Sequence, residues 1–405
     1  VILATSLRSA RAAQTWGAAQ GPMRALGITR VTDITRLDRL GVPVYASIRP
    51  RGRILRVHAG KGLHADEARV GAAMEAIEHA LAERDSLLPP TATLRWRDLA
   101  RRWPAGWALD EFAPVLGATL RADDRTDVID CEWLGHAERV PLPAELVRLP
   151  HPRRAAPGVF PWSTNGLASG NTLDEATLHA LLELLERDAT AMNMPEDRSL
   201  FVDPAELPAP WAAWCRHWRE AEGVHTHVRV LPNDFGLPCF AATLHEPASL
   251  DVNLARGHGL HLSRDIALAR ALSEAAQSRL STIHGGRDDI THFYGKYAQG
   301  DVAVRVQAEA AVVQRLQDRS RRIAYADVPQ LPVPGVAQAL AAVRQRLAER
   351  GFPDLLRHRL DVRGVADGLH VVKLVLRGAE ALEHDNRRLG RRLAQRVHDT
   401  RQVRP

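Results

Sequence analysis

The chain has 405 residues, 45% hydrophobic and 25% charged, the make-up of a globular protein able to bury one large or two ordinary cores rather than of a disordered or fibrous chain. Its 54 basic and 48 acidic residues leave a formal charge of +6, an excess too mild to indicate a nucleic-acid binder. Cys131, Cys215 and Cys239 are odd in number, far apart and without a C-x-x-C; this argues against a disulfide scaffold or structural zinc, fits a reducing cytoplasm, and no apolar run approaches the length of a membrane span.

Residues 24–60 alternate short apolar runs with turn signals (Gly27-Ile28-Thr29, Gly41 to Ala46, Ile54 to Val57) and predict strands. A helix is expected from Ala65 to Arg84, with Asp66 and Glu67 at its amino end and Pro89-Pro90 as its stop. Residues 127–149 read as strand-rich and 150–158 as a loop. A second helix is expected to run to Met192, with Thr172 three residues before Glu175 as in a capping box. Strands are expected at Val228–Leu231 and Phe240–Leu244, and a third helix at Arg264–Ser281 with Ser263 as cap. Residues 303–319 read as helix. The proline-rich stretch 328–335 divides a first region, 1–327, from a carboxy-terminal α/β subdomain, 328–405, with a helix over 336–350 and a strand at His370–Leu376. The tail from Arg387 to Arg404 holds seven arginines without interleaved aromatics, the pattern of a solvated helix more than of an RNA contact. Strands alternating with helices make the fold mixed α/β.

One short phrase occurs three times. Lys61-Gly62-Leu63, Asn165-Gly166-Leu167 and His258-Gly259-Leu260 each precede an expected helix carrying the pairs Glu75/Glu78, Glu183/Glu186 and Glu274/Gln277. An alanine (Ala68, Ala176, Ala267) stands seven residues before the first glutamate of each pair. Positions i and i+3 share a helix face, so each pair points one way. A single E-x-x-E is usually a solvated face; three in one register, beside apolar residues such as Leu181-Leu182 and Leu184-Leu185, are better explained by a shared cationic ligand.

A magnesium-bound nucleoside triphosphate fits that pattern, because magnesium takes oxygen ligands from carboxylates and phosphates. Glu75, Glu78, Glu183 and Glu186 are the candidate metal ligands, with Asn171, Glu175, Glu274 and Gln277 as further polar groups. Arg69, Arg187 and Arg270 offer guanidinium forks to phosphate. The chain has only three lysines, Lys61, Lys296 and Lys373, against 51 arginines, so a lysine kept in the first Gly-Leu phrase is a candidate phosphate contact. Neither a P-loop nor a G-x-G-x-x-G is present. The His179/Glu183 pair, His258 and His261, and Ser163 lack the context of a metal or nucleophile site and read as incidental. No side chain declares itself the catalytic acid or base.

The stretches GKGLHADEARVGAAMEAIEHALAER (60–84), STNGLASGNTLDEATLHALLELLERDA (163–189) and GHGLHLSRDIALARALSEAAQSR (257–279), with GITRVTDITRLDRLGVPV before them and HVVKLVL after, resemble the YcaO family of ATP-dependent enzymes that activate peptide backbone amides. The resemblance implies a YcaO-like fold whose three loop-helix motifs converge on ATP. It further implies magnesium held by Glu75, Glu78, Glu183 and Glu186, with Asn171, Glu175, Arg187, Arg270 and Glu274 assisting. Such enzymes phosphorylate an amide oxygen of a peptide or protein; a neighbouring Cys, Ser or Thr then gives an azoline, and external sulfide a thioamide. The third motif is most similar to members that occur with a TfuA-type partner and install thioamides. Many cyclodehydratases of the family end in a proline-rich tail, whereas the chain here ends Gln402-Val403-Arg404-Pro405, which weakens the azoline reading. A homodimer is a further expectation from the family. Two alternatives stay open on the residues: a two-metal hydrolase using the same acids, and a non-catalytic scaffold that binds nucleotide or peptide.

Overall fold

The computed structural model describes residues 2–403 except 4, 85–89, 150–157, 250 and 251, 288–301, 334, 361 and 383–387. Pro89, most of the loop expected at 150–158, and Lys296 lie outside the described residues. The chain opens with β1 (Ile2–Leu3), β2 (Ser6–Leu7) and α1 (Ala12–Ala25). There follow β3 (Arg30–Asp33), β4 (Val44–Ile48), β5 (Val57–Lys61) and α2 (Ala65–Ala82). Next come β6 (Ala92–Arg95), α3 (Trp96–Arg102), β7 (Arg125–Trp133), β8 (Arg139–Pro143), β9 (Leu167–Gly170) and α4 (Leu173–Asn193). The third stretch is β10 (Leu200–Val202), α5 (Ala209–Glu222), β11 (His225–Val230), β12 (Cys239–His245), β13 (Leu254–Leu260) and α6 (Arg264–His284). The chain closes with α7 (Val302–Gln317), α8 (Val336–Glu349), β14 (Leu355–Arg359), β15 (His370–Leu376) and α9 (Arg391–Val403).

Three antiparallel sheets carry the molecule, in the orders β3-β4-β5, β6-β7-β14-β15-β9 with β8 on β7, and β10-β11-β12-β13. The boundary expected at residue 328 is therefore no boundary in the sheet. β14 and β15, from beyond it, lie between β7 and β9, from before it, and their apolar residues feed two cores, Leu356 and Val371 one and Leu355, Val372 and Leu374 the other, as in a strand pair covered on both faces.

Each of β5, β9 and β13 is the last strand of its sheet, and each leads directly into a motif helix. Small residues make the strand-helix contact close. A Cβ on Gly60 would fall 2.1 Å from the Ala68 carbonyl oxygen, and one on Gly259 2.1 Å from the Ala267 carbonyl oxygen. The residue eight before the motif alanine is thus the true anchor of the repeat: Gly60, Ala168 and Gly259. The Gly-Leu phrases are not equivalent positions. Gly62 closes a turn against Glu67, whereas Gly166, at φ +78°, precedes its strand and needs to be glycine because a Cβ would stand 2.6 Å from the Leu374 carbonyl oxygen.

Helix ends follow the expected chemistry. Thr172 accepts from Glu175 N–H and Ser263 from Ile266 N–H. α4 is buried on most of its circumference, Leu178, Leu181, Leu184 and Leu185 packing against β15 residues such as Val372 and Leu374, as a helix clasped between layers should be. The three cysteines are buried free thiols. Among the described residues no helix is long and apolar enough to cross a membrane.

Candidate functional site

Each motif helix packs against the exposed edge of the next motif's strand, so the three units close into a ring: α2 on β9, α4 on β13, α6 on β5. The second residue of each acidic pair makes the joint. Glu78 Oε1 accepts from Ser169 N–H at 2.8 Å and from Ser169 Oγ–H at 2.5 Å. Glu186 Oε2 accepts from Leu260 N–H at 3.1 Å. In the third joint the polarity reverses: Gln277 Nε2 donates to the Ala59 carbonyl at 2.6 Å. Glu78, Glu186 and Gln277 thereby satisfy backbone groups that an unpaired strand edge would leave open. Sequence spacing alone does not show this use of them.

Inside the ring lies a cavity of about 700 Å3. Glu75, Glu78, Glu183, Glu186 and Glu274 line it, with Lys61, Asn171, Glu175, Arg187, Arg270 and Gln277. Arg69 is the exception among the expected residues. It binds Asp66 at 2.9 Å and covers the Trp16 ring at 4.4 Å, away from the cavity. The reason is helical phase: Arg187 and Arg270 stand four residues from Glu183 and Glu274 and share their faces, while Arg69 stands six from Glu75.

Charge is unevenly matched across the cavity. Burial pushes the Glu78 carboxyl up to about 8, against its bonds from Ser169 and with further repulsion from Glu75 and Glu183. Burial likewise raises Glu183 to about 7, although Arg187 opposes it. Burial of Glu274 is outweighed by Lys61, whose Nζ lies 2.6 Å away, and by Arg187, which hold that carboxyl well below its ordinary range. Arg270 stands 4.0 Å from Glu186. The Glu175 carboxylate is buried, and Arg8 and Ser9 keep it below its ordinary range. Its oxygens accept from Ser9 N–H at 2.9 Å and from Arg8 Nη1 at 3.3 Å. Thr15 Oγ1 donates to Asn171 Oδ1 at 2.9 Å. Arg8, Ser9 and Thr15 carried no motif signal in the sequence.

Lys373, on β15, is buried and donates to the Ser163 and Asn165 carbonyls. It fixes the turn into β9 and contributes positive potential at Glu183. Burial and the cationic groups near it keep His179, another wall residue, uncharged. His261 accepts from Ser263 N–H at 3.1 Å as part of the α6 entry.

The arrangement is a set of carboxylates, two of them (Glu78 and Glu183) protonated more readily than carboxylates in water, interleaved with Lys61, Arg187 and Arg270. Hard divalent cations could take the place of those protons on the carboxylates, and Lys61, Arg187 and Arg270 would then be available to anionic oxygens. The donor set therefore fits magnesium with a polyphosphate.

A family model described as YcaO cyclodehydratase, ATP- and Mg2+-binding, matches residues 59–380. An uncharacterized protein of Methanothermobacter thermautotrophicus is 31% identical over 399 residues, covering 95% of this chain and 98% of its own. A Rhizobium leguminosarum protein named for the tfuA 3' region is 34% identical over 301 residues, 70% of this chain and 69% of its own. Among solved structures, a heterocyclase in complex with substrate and cofactor superposes with a TM-score of 0.77 at 20% identity over 95% of this chain, which spans about half (54%) of that longer chain. YcaO from Methanopyrus kandleri, bound with AMPPCP and Mg2+, gives 0.75 at 22% identity over 96% and 97% of the two chains. With a family model covering most of its length, this chain belongs to the YcaO family, whose cofactors are ATP and Mg2+.

Proposed function

We propose that this chain uses ATP and Mg2+ to activate a backbone amide of a peptide or protein for conversion to a thioamide, with a TfuA-like partner delivering sulfur. The observation that carries the ATP-dependent part is the one cavity that Glu75, Glu183 and Glu274 of three helices line together with Lys61, Arg187 and Arg270. Support for the sulfur step is the Rhizobium relative named for the tfuA 3' region.

Glu75, Glu78, Glu183 and Glu186 hold the magnesium ions in this reading. When bound, the metal-nucleotide supplies the phosphoryl group and neutralises charge on it during transfer. Lys61, released from Glu274, and the guanidinium groups of Arg187 and Arg270 orient the phosphate oxygens. Glu175 and Asn171, braced by Arg8, Ser9 and Thr15, form the rigid rim on which the nucleotide is aligned. In the overall exchange sulfide forms the new bond to the amide carbon, the carbon-oxygen bond breaks, and the oxygen departs on phosphate.

The test is mass spectrometry of candidate peptides co-expressed with the chain and a TfuA-like partner. Exchange of oxygen for sulfur supports the proposal, and loss of water shows azoline formation instead. Glu183→Gln removes an ionisable ligand without altering the joints between repeats, and is expected to lower ATP turnover by at least about a hundredfold. Turnover at the wild-type rate in that variant would reject the site, whereas cleavage of a substrate without ATP would point to a hydrolase.

A further inference from the structure

At one end of the cavity, the face of α2 that carries Glu75 also carries His79, one turn further on, and the adjacent strand β5 places His58 against both. We infer that His58, His79 and Glu75 form a binding site for a zinc-class transition-metal ion, distinct from the magnesium sites but sharing Glu75 with them.

One ligand atom from each of the three residues lies within 4.8 Å of the other two. Across a tetrahedral zinc with bonds of about 2.0–2.1 Å such atoms stand roughly 3.4 Å apart, so modest side-chain rotation closes the site. The rings of His58 and His79 meet edge to face at 4.7 Å, and His58 Nδ1 is 3.9 Å from Glu75 Oε1. Two imidazoles with one carboxylate are a donor set that favours zinc or cobalt over magnesium.

A second observation points to a ligand. His58 is fully buried, at 0% exposure, and although the Leu55 backbone stands near its ring, neither ring nitrogen has a hydrogen-bond partner in acceptable geometry among the described residues. Leaving such a pair of polar atoms unmet is costly, and a metal ion meets one of them directly. Two guanidinium groups, those of Arg49 and Arg287, also stand near His58. Of the two nearby guanidinium groups, Arg49 is already neutralised by Glu83 at 2.6 and 2.7 Å. His79 and Glu75 also line the cavity while His58 does not, so a three-liganded ion keeps a coordination position turned toward the chamber, open to water or a small anion.

The experiment uses the full chain, stripped of metal and held in excess Mg2+, without nucleotide. Titration with Co2+ is expected to give about one equivalent with the intense visible bands of a four-coordinate ion, displaced by Zn2+. His58→Ala and His79→Ala should each weaken that binding at least tenfold, while in His58→Ala, whose side chain does not line the cavity, Mg2+-dependent ATP binding, measured by calorimetry, persists. X-ray absorption at the zinc edge of the wild-type protein provides a readout that needs no variant and should report two imidazoles. Absence of Co2+ and Zn2+ binding in excess Mg2+, fewer than two imidazoles, or unchanged affinity in both variants overturns the inference. Because nucleotide is absent from the titration, failure of the ATP reading leaves this result unaffected.

Discussion

Glu78 accepts two hydrogen bonds from Ser169 and is still pushed up to about 8, because burial outweighs them and Glu75 and Glu183 add repulsion. Glu183 rises to about 7 for the same leading reason. Both values lie above the ordinary 4.5, so the folded chain holds these protons more tightly than the unfolded one. Two consequences follow with a definite sign. Without a divalent cation, these two acids make stability fall as pH rises from about 4.5 to about 8. With Mg2+ and nucleotide, binding must displace the protons, so affinity should climb at least about tenfold between pH 6 and pH 8 and level off above. Calorimetry in buffers of different ionisation enthalpy should detect proton release at pH 7, and its absence would mean that the acids are already ionised. Residue scale also explains why Lys61 and Lys373 escape the preference for arginine. Lys61 makes a single short bond to Glu274, and Lys373 fits its ammonium between two carbonyls in the core, tasks for a compact point charge more than for a planar fork.

An element of this ring is a strand and the helix it feeds, and the contact between them is set by the residue eight places before the motif alanine. At Gly60 an added Cβ would meet the Ala68 carbonyl oxygen and the Ala72 nitrogen, both at 2.1 Å, and neither is the movable end of a side chain. Gly60→Ala is therefore expected to destabilise the chain by about 3 kcal/mol or more and to displace Glu75 and Glu78 with α2, lowering ATP turnover as well. Gly17→Ala, in α1 with nothing within 4 Å, should instead be neutral or stabilising by up to about 1 kcal/mol. Urea unfolding of the two variants checks both, and equal stabilities would remove the argument. The same scale explains what was legible beforehand. The three motif helices showed themselves through periodic alanine and leucine, and Thr172 and Ser263 through capping chemistry. β9 and β13 did not, because Leu167-Ala168-Ser169-Gly170 and a glycine-spaced β13 have weak strand preference and are held extended by the helices behind them. α5 escaped although Trp211, Cys215 and Trp218 follow a helical spacing, with Pro210 at its start. Glu75 and His79 stand i,i+4 in plain view, but His58 joins them only through the β5-α2 packing, which no local pattern encodes.

Across the whole molecule, the carboxy-terminal segment does more than follow the catalytic ring; it holds one of its helices from outside. Asp188 lies two residues beyond Glu186 on α4, is 1% exposed, and pairs with Arg392 of α9 at 2.5 Å while accepting from Glu380 N–H at 2.8 Å. Burial raises Asp188 to about 6 even with that arginine present. Arg392 also pairs with Asp234 and covers the Phe352 ring, so it links α4, α9 and the turn before β14 at one point. Removing it leaves a buried carboxylate without its cation, a loss of about 3–5 kcal/mol in such settings. Arg392→Met should lower stability by about that amount at pH 8. It should lose less near pH 5, because Asp188 can then take up a proton and its raised folded pKa counts less against the native state than at pH 8. A loosened α4 also carries Glu183, Glu186 and Arg187 out of register, so Mg2+-dependent ATP binding should weaken several-fold though Arg392 lies outside the cavity. Denaturant unfolding at the two pH values and calorimetry at the higher one test this together: a deficit that does not change with pH would mean that Arg392 acts through Asp234 or packing, and full ATP affinity would mean that α4 keeps its register without the clamp.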